Sequence, residues 1–125
     1  MTDPGAPTAL SEPQLVRPSV ASMHPYDSDA EVLEGDPTRQ ILPLFTGGSA
    51  DNLFIGAIWS TTPCTLRLQS PLDTVIYVIE GTAEVDFEDG RHWDVEPGDV
   101  LALPKGAWAT WRFTTDFKEL VAYGA

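Results

Sequence analysis

Cysteine and basic side chains are the scarce residues of this 125-residue chain. Cys64 is the only cysteine, so no disulfide can form within the chain, and this fits a reducing compartment such as the cytoplasm. Seven lysines and arginines stand against 19 aspartates and glutamates, which gives a formal net charge of −12. A surface this acidic repels polyanions, and this argues against nucleic acid and anionic membranes as partners.

Long apolar runs and a sustained helical period are also missing. No run approaches the roughly 20 residues that a membrane-spanning helix requires. The first eleven residues contain neither the basic residue nor the apolar segment of a signal peptide. We therefore expect a cytoplasmic protein that forms one domain, and the 42% of hydrophobic residues is enough for a core.

Proline and acidic residues are concentrated at the start of the chain. Residues 1–36 carry five prolines and seven acids but a single base, Arg17. Proline removes backbone donors and biases its neighbours away from helix, so we predict an extended, partly disordered arm over residues 1–36 and a barrel over residues 37–125. The apolar pairs Leu15–Val16 and Val32–Leu33 could fix the arm to the barrel or to a second subunit.

Beyond the arm, short alternating segments follow one another without a helix. Asp89-Gly90 is a strong hairpin signal, and the even spacing indicates an all-β sandwich or closed barrel. The predicted strands are Ile41–Phe45, Leu53–Ser60, Thr65–Gln69, Val75–Ile79, Thr82–Phe87, His92–Val95, Val100–Leu103, Ala109–Thr114 and Glu119–Tyr123, with a turn at Thr46–Ser49.

The segment Val75–Ile79 is apolar at every position. In a sheet with one solvated face only alternate residues should be apolar, so the pattern predicts that something covers the outside of this strand. The cover could be the N-terminal arm, a partner subunit or a second sheet of the same chain.

The glycine and proline turns resemble those of the cupin superfamily, and in particular its small single-domain, RmlC-like members. The resemblance covers roughly Gly35 to Tyr123 and implies an all-β cupin double-stranded β-helix, a jelly-roll barrel preceded by the extended Pro-rich arm. Small cupins of this kind commonly pair through the outer sheet, so it also implies a homodimer. The matching stretches are Gly56–Trp59 with Pro63, Asp73–Gly81, Pro97–Asp99, Pro104–Gly106 and Thr110–Arg112.

The metal-binding positions of that family carry other residue types in this chain. Counting from Gly81 and Gly106 places Thr74 and Ala109 at two of the four ligand positions. The remaining pair falls on Arg67 and Gln69, or on Leu68 and Ser70. Transition metals in such sites need imidazole and carboxylate ligands. The resemblance therefore implies degenerate metal motifs, and we predict neither a metal nor another cofactor.

The two histidines do not rebuild a metal site in the sequence. His24 lies in the arm, whereas His92 follows the hairpin turn and shares a face with Asp94 and Glu96. A catalytic zinc site usually has three protein ligands, so a solvated surface histidine is the favoured interpretation of His92.

A pocket inside the barrel is the predicted binding site. Its aromatic and largely apolar lining suits a small planar or carboxylated organic molecule. A one-residue shift of register is an equal alternative, in which Leu66 and Leu68 face inward and Arg67 faces solvent together with Gln69. The predicted lining residues are Trp59, Arg67, Gln69, Thr74, Ile76, Trp108, Trp111 and Phe113.

Candidate catalytic groups are few. Arg67 as an electrophile and Tyr77 as a proton donor form the best pair. Strand alternation, however, places Tyr77 opposite Thr74 and Ile76, which favours a packed structural tyrosine. Cys64 lacks a nearby base and is interpreted as a small buried filler.

Three functions remain open from the sequence. The first is a metal-independent cupin enzyme of isomerase, epimerase, cyclase or lyase type, acting on a small organic molecule in its barrel. The second is a non-catalytic small-molecule binding or accessory module. The third is a metal-dependent cupin with an atypical ligand set that uses His92 or acids of the arm.

Overall fold

Twelve β-strands and no helix make up the part of the chain that the structure describes. The computed structural model describes residues 8–9, 12–15, 17, 23–26, 30–49 and 52–124. The strands are β1 Thr8–Ala9, β2 His24–Pro25, β3 Glu31–Glu34, β4 Arg39–Ser49, β5 Asn52–Thr61, β6 Cys64–Gln69, β7 Asp73–Glu80, β8 Ala83–Phe87, β9 His92–Val95, β10 Val100–Leu103, β11 Trp108–Phe113 and β12 Phe117–Gly124. None of the described residues belongs to a helix that could cross a bilayer.

The strands form two sheets with the core between them. The first sheet has the order β1-β4-β5-β12-β7-β10, with β2 also pairing with β4. The second has the order β3-β6-β11-β8-β9. Every pair is antiparallel except β1 with β4. This confirms the predicted all-β barrel. The largest fully buried side chains are Leu66, Val78, Val85, Trp111 and Phe117.

Alternation along β7 explains its run of apolar residues. Thr74, Ile76 and Val78 are buried in the barrel, whereas Val75, Tyr77 and Ile79 point outward and are exposed. The second sheet lies on the inner side of β7, and the described parts of the arm pair with β4 and β6 instead. None of the described strands therefore covers the outer side of β7.

The outward side chains of β7 continue on both neighbouring strands. Val100 on β10 and Leu120 on β12 both lie directly opposite Tyr77. Val100 is the most exposed of the set at 67%, and Tyr77 is 46% exposed. We call these residues the outer apolar face; its members are Val75, Tyr77, Ile79, Val100 and Leu120.

The predicted turn at Thr46–Ser49 is wrong. Strand β4 continues to Ser49 and stays paired with β5 along its length, ending at the pair Ser49–Asn52. The two glycines in Thr46–Ser49 suggested a turn, but both stay paired with β5, and Gly48 does so with a φ of +81°, which glycine tolerates without strain. A register shift between Pro43 and Phe45 accommodates the proline within the strand.

The described segments of the arm add strands to both sheets. Thr8 pairs with Phe45 and His24 with Ile41, so β1 and β2 both lie along β4. Strand β3 lies along β6, although Val32 and Leu33 themselves stay exposed. The arm is therefore attached in these places through its backbone rather than through its apolar side chains. Leu15 is also exposed, and Val16 lies outside the described residues.

Candidate ligand-binding cavity

A cavity of about 410 Å³ opens between the two sheets. This volume lies within the range of roughly 300–1,000 Å³ typical of small-molecule sites. We call it the barrel cavity. All eight residues predicted to line a pocket line it: Trp59, Arg67, Gln69, Thr74, Ile76, Trp108, Trp111 and Phe113. Whether a ligand occupies the cavity remains a prediction.

Strand β12 supplies the part of the wall that the sequence analysis missed. Its inward residues are Phe117, Glu119, Val121 and Tyr123, of which the last three line the barrel cavity. The strand lies between β5 and β7, so Glu119 is set in the middle of the first sheet, opposite Trp59. The sequence does carry a signal for Glu119: it is an acidic residue among alternate positions that otherwise hold Phe117, Val121 and Tyr123.

Glu119 is a buried carboxyl with an unpaired oxygen. Only 9% of the residue is exposed, and Oε2 is shut off from solvent with no hydrogen-bond partner among the residues that the structure describes. Loss of hydration disfavours the charged form and raises the pKa of Glu119 from its ordinary value of 4.5 to about 8. At neutral pH the side chain is therefore mainly a neutral carboxylic acid, which can donate a hydrogen bond.

Tyr123 lies two residues beyond Val121 on the same strand, near its C-terminal end. Burial raises the pKa of Tyr123 well above its ordinary value, and the nearby groups Glu119 and Tyr26 raise it further. Its hydroxyl consequently stays protonated over the working range of pH. Thr74, opposite Tyr123 on β7, donates its hydroxyl hydrogen to the Leu72 carbonyl at 2.8 Å.

A second polar group in the wall also lacks a partner. Trp111 is 2% exposed, and its ring lies against Phe113 and Phe117. Its Nε1–H is buried and has no acceptor among the described residues. Leaving such a donor unpaired costs about 1–3 kcal/mol. The cavity wall therefore combines apolar surface with two polar groups whose hydrogen-bonding capacity is unused.

The register of β6 follows the alternative set out from the sequence. Leu66 pairs with Trp111 and Leu68 with Ala109, so these leucines share the inner face. Arg67 and Gln69 alternate with them and reach the cavity at its mouth. The sequence left two registers of β6 open. In the structure Leu66 and Leu68 face inward, since they pair with the buried residues Trp111 and Ala109 of β11.

Arg67 is held at the mouth by two contacts. Its guanidinium lies over the Trp108 ring at 4.0 Å from the centroid. Its Nη2 donates to Glu88 Oε1 at 2.7 Å. Gln69 nearby donates its Nε2 hydrogen to the Gly106 carbonyl at 3.3 Å. Arg67 is thus a rim residue with a carboxylate partner.

The structure places Tyr77 away from the cavity. Its side chain is on the opposite side of β7 from Thr74 and Ile76, and it belongs to the outer apolar face. The proton-donor role considered for Tyr77 has no geometric support, since a molecule inside the barrel would be separated from it by the sheet. Cys64 is buried, with its Sγ 3.6 Å from the Thr61 hydroxyl.

The residues of the cavity do not fit a transition metal. Thr74 and Ala109 are buried where the family's ligands would be, and no histidine is among the described residues of the lining. The donors present are one carboxyl and several neutral hydroxyl, amide and indole groups. This is a poor match for metals that select imidazole and carboxylate together.

His92 lies outside the barrel in an acidic cluster. Its Nδ1 is 2.6 Å from Asp86 and its Nε2 is 3.0 Å from Asp94. In the described part of the chain, Glu84, His92 and Asp94 form a group whose possible ligand atoms lie within 4.8 Å of one another. The cluster sits on the exposed face of β8 and β9, as the spacing of His92 and Asp94 predicted.

Comparisons with known proteins identify the family. The model of the EutQ-like cupin domain matches residues 48–119. The EutQ protein of Clostridium difficile is similar in structure with a TM-score of 0.57 and 16% identity, covering 70% of this chain and 68% of that one. A protein of unknown function in the DUF861 family from Pseudomonas syringae pv. tomato has a TM-score of 0.71 and 20% identity.

Coverage differs between these structures. The match spans 85% of this chain but 45% of the Pseudomonas protein. A DUF861 family protein from Thermotoga maritima is 26% identical with a TM-score of 0.50, over 51% of this chain and 73% of that one. No curated protein sequence matches significantly. Since the family model covers more than half of the residues, the chain belongs to the family of EutQ-like cupin domains.

Proposed function

We propose that this cupin binds a small organic molecule in its barrel without a metal and uses Glu119 to transfer a proton in a reaction of isomerase, epimerase, cyclase or lyase type. The observation that carries the proposal is the buried carboxyl of Glu119 in the wall of the barrel cavity. The surrounding aromatic side chains would exclude water from a molecule held there.

The acidity of Glu119 suits acid–base chemistry near neutral pH. A group transfers protons best when its pKa lies close to the working pH, and the pKa of Glu119 is raised to about 8. A typical surface glutamate would be fully ionised at that pH and a poor proton donor. Glu119 can therefore give a proton and take one back within the same reaction.

Metal independence is supported by the donor set of the cavity. The positions that carry ligands in metal-binding cupins hold Thr74 and Ala109 here, and Arg67 and Gln69 lie at the mouth. Glu119 is a single carboxyl, and one such group is too few for a transition-metal site. The chemistry assigned to the barrel thus depends on protein side chains.

A non-catalytic binding module is the second candidate. The pKa of Tyr123 is raised far beyond neutral pH, so it cannot act as the complementary base. Glu119 would then be the only group in the described lining that changes protonation near neutrality. A reaction that needs two such groups at once is disfavoured, whereas binding needs neither.

The first test is a thermal-shift panel on the full chain, with divalent metals in one arm and, in the other, small carboxylates, sugars, amines, alcohols and aromatic compounds, each with and without a chelator. A ligand at a hundred times its Kd adds about 2.7 kcal/mol to stability and raises Tm by several degrees. We expect stabilisation by an organic compound that the chelator does not remove. Stabilisation by divalent metals alone would overturn the proposal.

Turnover of a bound compound distinguishes the two candidates. Conversion would be followed by NMR with the wild type, with Glu119→Gln and with the exposed control Glu96→Gln. We expect Glu119→Gln to lose more than a hundredfold of the rate, since general acid–base groups contribute about 10²–10⁴-fold, and Glu96→Gln to keep it. Binding without conversion by the wild type would favour the module.

A further inference from the structure

We propose that the ligand of the barrel carries an acyl oxygen, a carbonyl or a carboxylate, which accepts hydrogen bonds from the Glu119 hydroxyl and the Trp111 Nε1–H. This rests on the proposed function only in that a molecule occupies the barrel. The acyl group is the end of that molecule that lies deepest in the barrel.

The unused polar groups of the wall are donors. The Trp111 Nε1–H is a donor only, is buried, and has no acceptor among the described residues. A neutral carboxyl at Glu119 offers one O–H donor, and its Oε2 is equally unpartnered. Tyr123 adds a hydroxyl that stays protonated. A ligand rich in acceptors would satisfy these groups, whereas one rich in donors would leave Trp111 unpaired.

The charge at the mouth favours the same class of ligand. Arg67 is the only cation among the described residues that line the cavity, and its side chain is about one-third exposed. It attracts an incoming carboxylate and repels an incoming amine. Glu88, its partner on the outside, is itself largely exposed and can release the guanidinium to water.

The aromatic lining supplies the contact for the rest of the molecule. Trp59 and Phe113 lie 5.5 Å apart between their ring centroids, and Trp111 stacks on Phe113 at 5.6 Å. Such faces accept a planar apolar body, but they also attract cations. An amine paired with an ionised Glu119 is therefore the competing occupant, and the experiment must separate the two.

Protonation of Glu119 provides that separation. The other residues of the described lining that titrate or carry charge are Tyr26, Arg67 and Tyr123, and the neighbours of Glu119 on β5 and β7 are the uncharged Trp59 and Val78. An acyl oxygen needs the protonated acid, so its affinity should fall above a pH of about 8. An ammonium needs the carboxylate, so its affinity should rise toward that pH.

The experiment is a titration calorimetry series on the full chain with three phenyl compounds between pH 6 and pH 10. Benzoate and acetophenone present an acyl oxygen, and benzylamine presents a cation on the same ring. We expect the first two to bind with constant affinity below pH 8 and to weaken up to tenfold for each pH unit above it. Benzylamine should bind at least tenfold more weakly.

Three variants locate the effect. Glu119→Gln keeps a donor of similar shape, so acetophenone should still bind and its pH dependence should disappear. Trp111→Phe keeps an aromatic ring but removes the N–H, and should weaken acetophenone about tenfold. Glu96→Gln, an exposed control, should leave both affinity and pH dependence unchanged. Circular dichroism and thermal melting establish that each variant is folded.

Two results overturn the ligand class. One is tighter binding of benzylamine that rises with pH and is lost in Glu119→Gln. The other is no binding of benzoate or acetophenone at 10 mM, on the order of a hundred times the Kd of a moderate fragment. If an alcohol or amine of the wider panel still binds in the barrel, the proposed function stands; if nothing binds, both fail.

Discussion

At the scale of the residue, the proposed chemistry of the barrel depends on a single buried carboxyl. Glu119 occupies a position that alternation reserves for the core, among Phe117, Val121 and Trp59. A buried ion without a partner is costly, so the side chain stays protonated instead. The same burial that makes Glu119 useful as an acid also makes it a burden on stability.

The first prediction concerns this burden. In the unfolded chain Glu119 ionises near pH 4.5, whereas in the folded chain it holds its proton to about pH 8. The folded state therefore binds more protons between these values, and its stability falls as pH rises through them. The loss of stability between pH 4.5 and pH 8 is on the order of 5 kcal/mol, because each unit of difference between the two pKa values corresponds to about 1.4 kcal/mol.

Replacing Glu119 isolates that contribution. The difference in free energy of unfolding between Glu119→Gln and wild type should grow with pH from 4.5 to 8 and level off above it. Urea denaturation at five pH values measures it, with Glu96→Gln as the control that should track wild type. A difference that stays constant with pH would contradict the burial of the carboxyl.

A second prediction concerns His92 on the outer surface. Hydrogen bonds to Asp86 and then to Asp94 favour the imidazolium and raise the pKa of His92 above 6.5. Its stabilising contribution is full below pH 6.5 and is lost as pH rises through the raised value. NMR titration of the ring protons should show this, and Asp86→Asn should move the midpoint down more than Asp94→Asn does. Equal midpoints in all three proteins would show that neither contact forms in solution.

Side-chain placement could be predicted from the sequence where a turn fixed the register. The glycine and proline turns around β7 and β11 placed Thr74, Ile76, Trp111 and Phe113 in the cavity wall. Glu119 was missed because the outward residues of β12 include the apolar Leu120, so both faces of that strand look alike in the sequence. Only the partner strands determine which face is inside.

At the scale of the element, backbone geometry and pairing decide where strands end. Strand β4 continues through Gly47 and Gly48 because β5 pairs with it throughout. The chain leaves β7 at Gly81, which has a φ of +90°, although Gly48 with a φ of +81° does not end β4. Glycine composition alone could not separate these two cases, since the difference lies in the partner strand.

The third prediction follows from the turn at Gly81. A Cβ there would overlap the carbonyl oxygen of Asp116, in backbone that leads into β12. We expect Gly81→Ala to lower the free energy of unfolding by more than about 2 kcal/mol, as both strain and overlap contribute. Urea denaturation measures the loss.

Gly90 provides the matched control for Gly81. Its φ of +94° is nearly the same, but no atom lies within 4 Å of an added Cβ. Gly90→Ala should therefore cost only about 1 kcal/mol, the strain of a left-handed backbone. Equal losses in the two variants would show that the overlap at Gly81 is relieved by movement of the Asp116 segment.

At the scale of the whole molecule, the outer apolar face is the least satisfied part of the surface. It spans three neighbouring strands, with Tyr77 in the middle row between Val100 and Leu120. The described segments of the arm lie elsewhere, along β4 and β6. We expect a second copy of the chain, presenting the same apolar rows, to cover this face.

The fourth prediction is a homodimer through this face. Sedimentation velocity should give a dimer for the wild type and a monomer, or an insoluble protein, for Tyr77→Asp. Leu33→Asp places the same charge on an exposed leucine of β3 and should remain dimeric. A monomeric wild type, or an unchanged profile for Tyr77→Asp, would remove the outer apolar face as the interface.

The overall architecture was the most predictable level. Turn residues and alternation indicated an all-β sandwich or barrel, because each local signal agrees with the same fold, and the family resemblance implied the cupin type. The covering of β7 was not predictable, since the pattern of Val75–Ile79 is the same whether an arm, a sheet or a second chain lies on it. The function is least accessible, because it depends on groups brought together from several strands.

The distribution of tryptophan makes the protein its own optical reporter. Three of its four indoles, Trp59, Trp108 and Trp111, line the barrel cavity. The fourth, Trp93, packs edge-on against Phe87 and is not among the lining residues. A molecule entering the barrel must therefore change the emission of most of the fluorophores at once, and binding can be followed without any label or knowledge of the reaction.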